Sequence, residues 1–254
     1  MFSIKSKDLF RQSFEFKESR GIIISDSEEA IQTAISSIKF HRRELEKYIW
    51  EHPRFLYSLQ PVPVEKGPKI ATLMAEATEA ADVGPMAAVA GVLADLAVED
   101  MVSEGVKAAV VENGGEASLV SDRPLDMALL AGDSPLSKHI GFRLDHFPIG
   151  VATSSGMFSH ALSFGEAEAV TIFAKNAGLA DAAATTVGNL VKGEDHSGAI
   201  DCGIKKALSI DSVEGVFILY RDRVGKGGKV PQIIKVNPPT RADELSRREP
   251  HGFG

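Results

Sequence analysis

The sequence is short of cysteine, of net positive charge and of long apolar runs, and each shortage excludes something. Cys202 is the one cysteine, so no disulfide can form within the chain, which suits a reducing compartment. Lys and Arg number 28 against 35 Asp and Glu, a net charge of −7. That balance argues against the basic face that nucleic acid or an anionic membrane requires. No apolar stretch nears the ~20 residues that a bilayer-spanning helix needs. The opening Met1-Phe2-Ser3-Ile4-Lys5-Ser6-Lys7-Asp8 holds no signal-peptide core. The expectation is a soluble, cytoplasmic protein whose partner is a small-molecule ligand, with no nucleic acid and no membrane.

What is present is an ordinary globular composition, 254 residues with 44% hydrophobic and 25% charged, long enough to bury one sizeable core. Residues 8–25 alternate about Ser19-Arg20-Gly21, which predicts a β-hairpin. Asp26 or Ser27 then caps a helix to about Trp50, with Ile31, Ala34, Ile35, Ile38 and Leu45 on its apolar face and Pro53 at its end. Pro61-Val62-Pro63 follows as a rigid connector. Alanine-rich helices are predicted over 68–84 and 85–105, the second opening on Pro85. Ala87, Ala88, Ala90, Gly91 and Ala94 strip that helix of bulk, so another backbone or a ligand can lie close to it, and a helix-packed homodimer is compatible with it.

Strands are predicted at 106–111, 127–130, 142–144, 151–153 and 169–174. Helices follow from about Leu179 to Leu190 and from Ala199 to Leu208. A last hairpin has arms 215–221 and 230–236, joined by Val224-Gly225-Lys226-Gly227-Gly228. The result is an α+β domain of antiparallel sheets packed with long helices. Residues 1–60 elaborate it as an N-terminal hairpin and helix, 61–238 form its core, and 239–254 make a flexible tail.

Three segments carry candidate chemistry. Asp181 and Thr185 stand one helical turn apart on one face, and two oxygens so placed make half of a hard-cation site. An aspartate in a first helical turn also serves the helix dipole. Asn113-Gly114-Gly115-Glu116 ends a buried strand. Its paired glycines allow positive φ and leave amides for an anion, while Asn-Gly is equally the signature of a tight hairpin. Thr153-Ser154-Ser155-Gly156 offers hydroxyls and a glycine to phosphate oxygens. No base is spaced to make a triad with Ser154 or Ser155, His160 being the nearest, and His139, His146 and His160 lack zinc-ligand spacing. Cys202, amid small residues, reads as a packed small hydrophobe rather than a nucleophile.

Taken in chain order, with the small-residue helix before them, these segments resemble the ApbE-like superfamily, the fold of the flavin transferases. Met86-Ala87-Ala88-Val89-Ala90-Gly91-Val92-Leu93-Ala94-Asp95 resembles its small-residue helix ending in aspartate. Val110-Val111-Glu112-Asn113-Gly114-Gly115-Glu116 resembles its strand followed by Asn-x-Gly-Gly-Asp, and Ala152-Thr153-Ser154-Ser155-Gly156 its Thr-Ser-Gly loop. Leu179-Ala180-Asp181-Ala182-Ala183-Ala184-Thr185 resembles its Ala-Asp-Ala-x-x-Thr helix start. With His41-Arg42-Arg43-Glu44-Leu45, the whole chain is most similar to an uncharacterised ApbE-related family of cytoplasmic proteins.

The resemblance implies a T-fold-like α+β architecture. It implies Mg²⁺ or Ca²⁺ on Asp181 and Thr185, joined by backbone carbonyls near Val89. It implies FAD held by Asn113, Gly114, Gly115, Glu116, Thr153, Ser154, Ser155 and Gly156. For an active member it implies metal-assisted transfer of FMN to a protein threonine. Two stretches depart from the family pattern. Ala90 stands where the family carries lysine, and His160-Ala161-Leu162-Ser163-Phe164-Gly165 stands in for a longer His-x-Ile-x-Asp-Pro-x-Thr-Gly run. Two other readings stay open: a participant in anaerobic sulfur or homocysteine metabolism, and a non-catalytic interaction protein that kept the fold.

Overall fold

The computed structural model describes residues 9–132, 134–155 and 165–236. The chain opens on a hairpin of β1 (Phe10–Phe16) and β2 (Ser19–Ser25), then runs through α1 (Glu28–Glu51), the short α2 (Pro53–Tyr57) and α3 (Lys69–Ala81). A 3-10 turn, Pro85–Ala88, leads into α4 (Val89–Ser103). Strands β3 (Ala108–Asn113), β4 (Glu116–Ser121), β5 (Leu125–Ala128), β6 (Ile140–Leu144), β7 (Ile149–Ser154) and β8 (Ala169–Ala174) follow. Helices α5 (Ala177–Leu190) and α6 (His196–Ser209) precede β9 (Val213–Tyr220), β10 (Arg223–Gly228) and β11 (Gln232–Lys235).

Eight strands form one sheet in the order β1-β2-β3-β4-β7-β8-β9-β10, and a second sheet runs β11-β6-β5. Every pairing is antiparallel. Alternation along the central strands sorts side chains to the two faces of the large sheet. In β8, Val170, Ile172 and Ala174 pack toward the helices, while Ala169 and Phe173 pack toward the small sheet. In β9, Val216, Ile218 and Tyr220 split in the same way from Phe217 and Leu219. The layers are therefore helices, large sheet and small sheet. Phe142 holds the two sheets together by meeting Phe173 and Phe217 edge to face, at centroid distances of 5.0 and 5.4 Å. Ile31, Ala34 and Ile38 of α1 join Ile23 and Val111 of the large sheet and Ala97 of α4 in one cluster. This is the expected α+β arrangement of antiparallel sheets and long helices.

Where elements differ from expectation, the causes are local. The first hairpin turns at Lys17-Glu18, with Phe16 paired to Ser19, and Lys17 takes a left-handed φ of 55°. Gly21 sits inside β2, where a Cβ would stand 1.8 Å from the Glu112 carbonyl oxygen. Strand β4 had no predicted counterpart. Glu116-Ala117-Ser118 carries little apolar signal, and the strand exists because β3 and β7 pair with it on both sides.

The glycine-rich 224–228 is a strand, most of β10, and not a loop. Its glycines let α6 lie close: a Cβ at Gly225 would meet Ile200 at 2.1 Å, and one at Gly227 would meet Ile204 at 2.5 Å. The expected second arm crosses to the small sheet as β11 and pairs with β6. Helix α5 starts at Ala177 because Asn176 caps it, accepting the Leu179 amide at 2.9 Å. Helix α6 starts at His196, capped by Asp195. Cys202 is exposed rather than packed, since the position that α6 turns inward is its neighbour Gly203, against Ile218 and Val191. Among the described residues no single helix is long and apolar enough to cross a membrane. The segment 239–254 lies outside the described residues.

Candidate functional site

Helices α4 and α5 cross at two glycines. A Cβ at Gly91 would meet the Ala177 carbonyl oxygen at 2.2 Å, and one at Gly178 would meet Val92 Cγ2 at 2.5 Å. The bare surface of α4 therefore admits a neighbouring backbone, that of α5. So close a crossing lets each helix lend an aspartate to the other's first turn. Asp95 Oδ1 and Oδ2 accept the Ala177 and Gly178 amides at 2.9 and 2.8 Å. Asp181 Oδ2 accepts the Gly91 amide at 3.0 Å. Because α5 begins at Ala177, Asp181 stands beyond its first turn. The dipole that it answers is that of α4.

The turn between β3 and β4 comes to the same place. Asn113 pairs with Glu116 across it, and Gly114 and Gly115 take φ of 75° and 126°. The segment is a tight hairpin turn, and it also belongs to the site. Asn113, 2% exposed, donates through Nδ2 to the Ala90 carbonyl at 3.2 Å. Gly115 lies over the end of β7, where a Cβ would stand 3.8 Å from the Thr153 carbonyl oxygen.

In β7 the Thr153 hydroxyl is engaged by that of Thr171 at 2.9 Å. Where Thr171 donates, the Thr153 hydroxyl keeps its own proton for a further acceptor. Ser154 Oγ lies against α5, 3.2 Å from where a Gly188 Cβ would be. Ser155 ends the described part of this segment; Gly156 and the stretch 160–164 lie outside it. Thr185 is half-buried, and its hydroxyl makes no hydrogen bond among the described residues.

The electrostatics of this corner are one-sided. Burial pushes the Asp181 carboxyl up to about 7, and the charge of Asp95 adds to the push while the Gly91 and Ala90 amides oppose it. Burial raises Glu116 well above the usual carboxylate range, reinforced by the charges of Asp181 and then Glu112. Among the described residues no lysine or arginine offsets either group. A dication held by oxygens would reverse both shifts, and the free Thr185 hydroxyl beside Asp181 suits such a cation. Among the described residues no group of three or more His, Cys, Asp or Glu is placed to hold a metal alone. Remaining ligands would therefore be backbone oxygens, water or a bound phosphate.

The structure thus brings Asn113, Glu116 and Asp181 together about Ala90 and Gly91, with Gly115 over Thr153. Two partners escaped sequence reasoning, Asp95 as the cap of α5 and the Ala90 carbonyl as the acceptor for Asn113. The only signal in the sequence was the spacing of Asp95 four residues after Gly91, on one helix face.

The family described as AbpE bacteria matches residues 4–213 of the chain. A UPF0280 protein of Methanococcus vannielii is 39% identical over 233 residues, covering 90% of this chain and 94% of that protein. A second, from Methanocaldococcus jannaschii, is 38% identical over 241 residues, covering 93% and 98% of the two chains. Among solved structures, the apo flavinyl transferase ApbE of Pseudomonas stutzeri is similar with a TM-score of 0.55 at 14% identity, over 87% of this chain and 94% of its own. At that identity the likeness concerns the fold, which is ApbE-like.

Proposed function

We propose that this chain, which belongs to the UPF0280 family, binds a phosphorylated, flavin-type ligand together with a divalent cation where α4, α5 and the β3–β4 turn meet. The observation that carries this reading is the pair of Asp181 and Glu116, two buried carboxyls raised by burial, the charge of Asp181 adding to the rise of Glu116, with no cationic side chain among the described residues acting on either. Asp181 and Thr185 would hold Mg²⁺ or Ca²⁺, with backbone carbonyls at the start of α4. The cation would supply neutralisation of pyrophosphate charge.

The chain's own residues do the rest. Asn113 ties the turn to the Ala90 carbonyl, so that the turn and the start of α4 keep one geometry. Gly114 and Gly115, at positive φ, shape the turn, and their amides are engaged by the Arg20 carbonyl and the Glu112 carboxylate. Thr171 fixes the end of β7 through Thr153. Ala90 carries no charge, so the negative charge of a bound phosphate would be met here by the cation. FAD is the ligand to try first, because the Pseudomonas stutzeri protein that shares the fold is a flavinyl transferase.

Titration of FAD into the purified protein, followed by flavin fluorescence with and without Mg²⁺, tests this. Mg²⁺-dependent binding in the micromolar range, lost in Asp181→Ala, is expected. A folded protein that binds no FAD in either condition overturns the reading and favours a protein that kept the fold for interaction alone.

A further inference from the structure

A cavity of about 480 Å³ opens at the other end of the α4–α5 crossing. None of Asn113, Glu116 and Asp181 lines it. Its walls are the facing sides of α3 and α4, with Leu73 and Ala77 on one and Val98 and Val102 on the other. These pairs are four residues apart and so point the same way from each helix. Val120 of β4 and Ile149 of β7 form the floor. A cavity of this size and apolar character lies within the range of small-molecule sites, roughly 300–1,000 Å³.

Its charged groups are unequal in sign. Asp95 caps α5, and Glu99 is ion-paired with Lys69 at 2.6 Å. Glu76 and Asp211 line the cavity exposed to solvent, and neither has an ion-pair partner among the described residues. Lys175 is the one cation in the lining. The start of α5 also lies here, but its amides are taken: Asp95 holds those of Ala177 and Gly178, and Asn176 holds that of Leu179. An anion entering the cavity would find those donors occupied and meet the Asp95 carboxyl. A cation meets carboxylates in excess.

We propose that this cavity is a second ligand site, one that takes a small organic cation, its apolar body between α3 and α4 and its ammonium facing Glu76 and Asp211. The site shares no lining residue with the carboxyl pair Asp181 and Glu116.

Calorimetric titration of the full chain with 3-phenylpropylammonium, and separately with 3-phenylpropionate and 3-phenylpropanol, tests it. The ammonium is expected to bind about tenfold more tightly than the carboxylate. Ala77→Trp, which fills the cavity, should abolish that binding and leave the FAD titration unchanged. Glu76→Lys, at an exposed position that does not endanger folding, should weaken the ammonium by about tenfold. No heat from the ammonium, equal binding of the carboxylate, or affinity unchanged in Glu76→Lys would each overturn the proposal. Flavin binding is read in a separate titration, so either proposal can fail while the other stands.

Discussion

At one end of the α4–α5 crossing, Asp95 holds the first two amides of α5, one with each oxygen. At the other end, Asp181 accepts the Gly91 amide of α4, and the neighbouring Ala90 amide acts on the same carboxyl. Both aspartates answer the positive end of a helix that is not their own, and burial raises both carboxyls. Their surroundings then diverge. Asp95 also receives the Ser118 hydroxyl, so its acceptors are occupied. Asp181 is coupled instead to Glu116, a second buried acid. The comparison separates an aspartate whose further partner is a hydroxyl from one that stands beside a second buried acid.

The largest break in that comparison is expected from Asp95→Ala, which strands two amides in the crossing and should cost about 3 kcal/mol of stability. Chemical denaturation measures it. Asp181→Ala should cost no more than about 1 kcal/mol while removing Mg²⁺-dependent flavin binding. Equal destabilisation by the two would mean that Asp181 is also structural. Gly91→Ala drives a Cβ to 2.2 Å from the Ala177 carbonyl oxygen. Overpacking there should cost about 2 kcal/mol and also weaken flavin binding, because both aspartates hang on the same crossing. A fully stable Gly91→Ala protein would show that the helices can part without loss.

The smallest effect is on pH dependence. The Asp181 carboxyl titrates at about 7 in the folded protein and near ~3.9 when unfolded. The folded state therefore holds that proton more tightly. Its contribution to stability is complete below the unfolded value and is lost as pH rises through about 7. In EDTA, the melting temperature is expected to fall by a few degrees between about pH 5 and 8. Mg²⁺ should blunt that fall, since metal binding releases the proton, and Asp181→Asn should flatten the part that belongs to this residue. Scanning calorimetry across the series checks it. A rise in stability over this range would contradict the burial of Asp181.

Much of the architecture was legible in the chain because its signals are local. Ser27 caps α1 by accepting the Ala30 amide three residues on. The near-continuous apolar runs of β8 and β9 announce strands with both faces covered. The segments that hold the site were also visible, as small-residue and oxygen-bearing runs in a recognisable order. Roles were harder to read. Thr153 read as a phosphate-facing hydroxyl, and its pairing with the Thr171 hydroxyl across β7 and β8 was not visible in the sequence. Gly225 and Gly227 suggested a loop, yet they are the positions at which α6 touches the sheet. A glycine in sequence is the same symbol whether it frees a backbone or makes room for a neighbour.

The sequence by itself determined the caps, the Asn113-Gly114 turn, the strand period and the absence of long apolar spans, since each depends on residues within a few positions of one another. The tertiary structure decided which helix end each aspartate serves. Asp181 meets the Gly91 amide across 90 positions of chain, and Asp95 meets that of Ala177 across 82. No period or local propensity reaches so far. The approach of two backbones at Gly91 and Gly178 makes those bonds possible, and with them the different surroundings of the two aspartates.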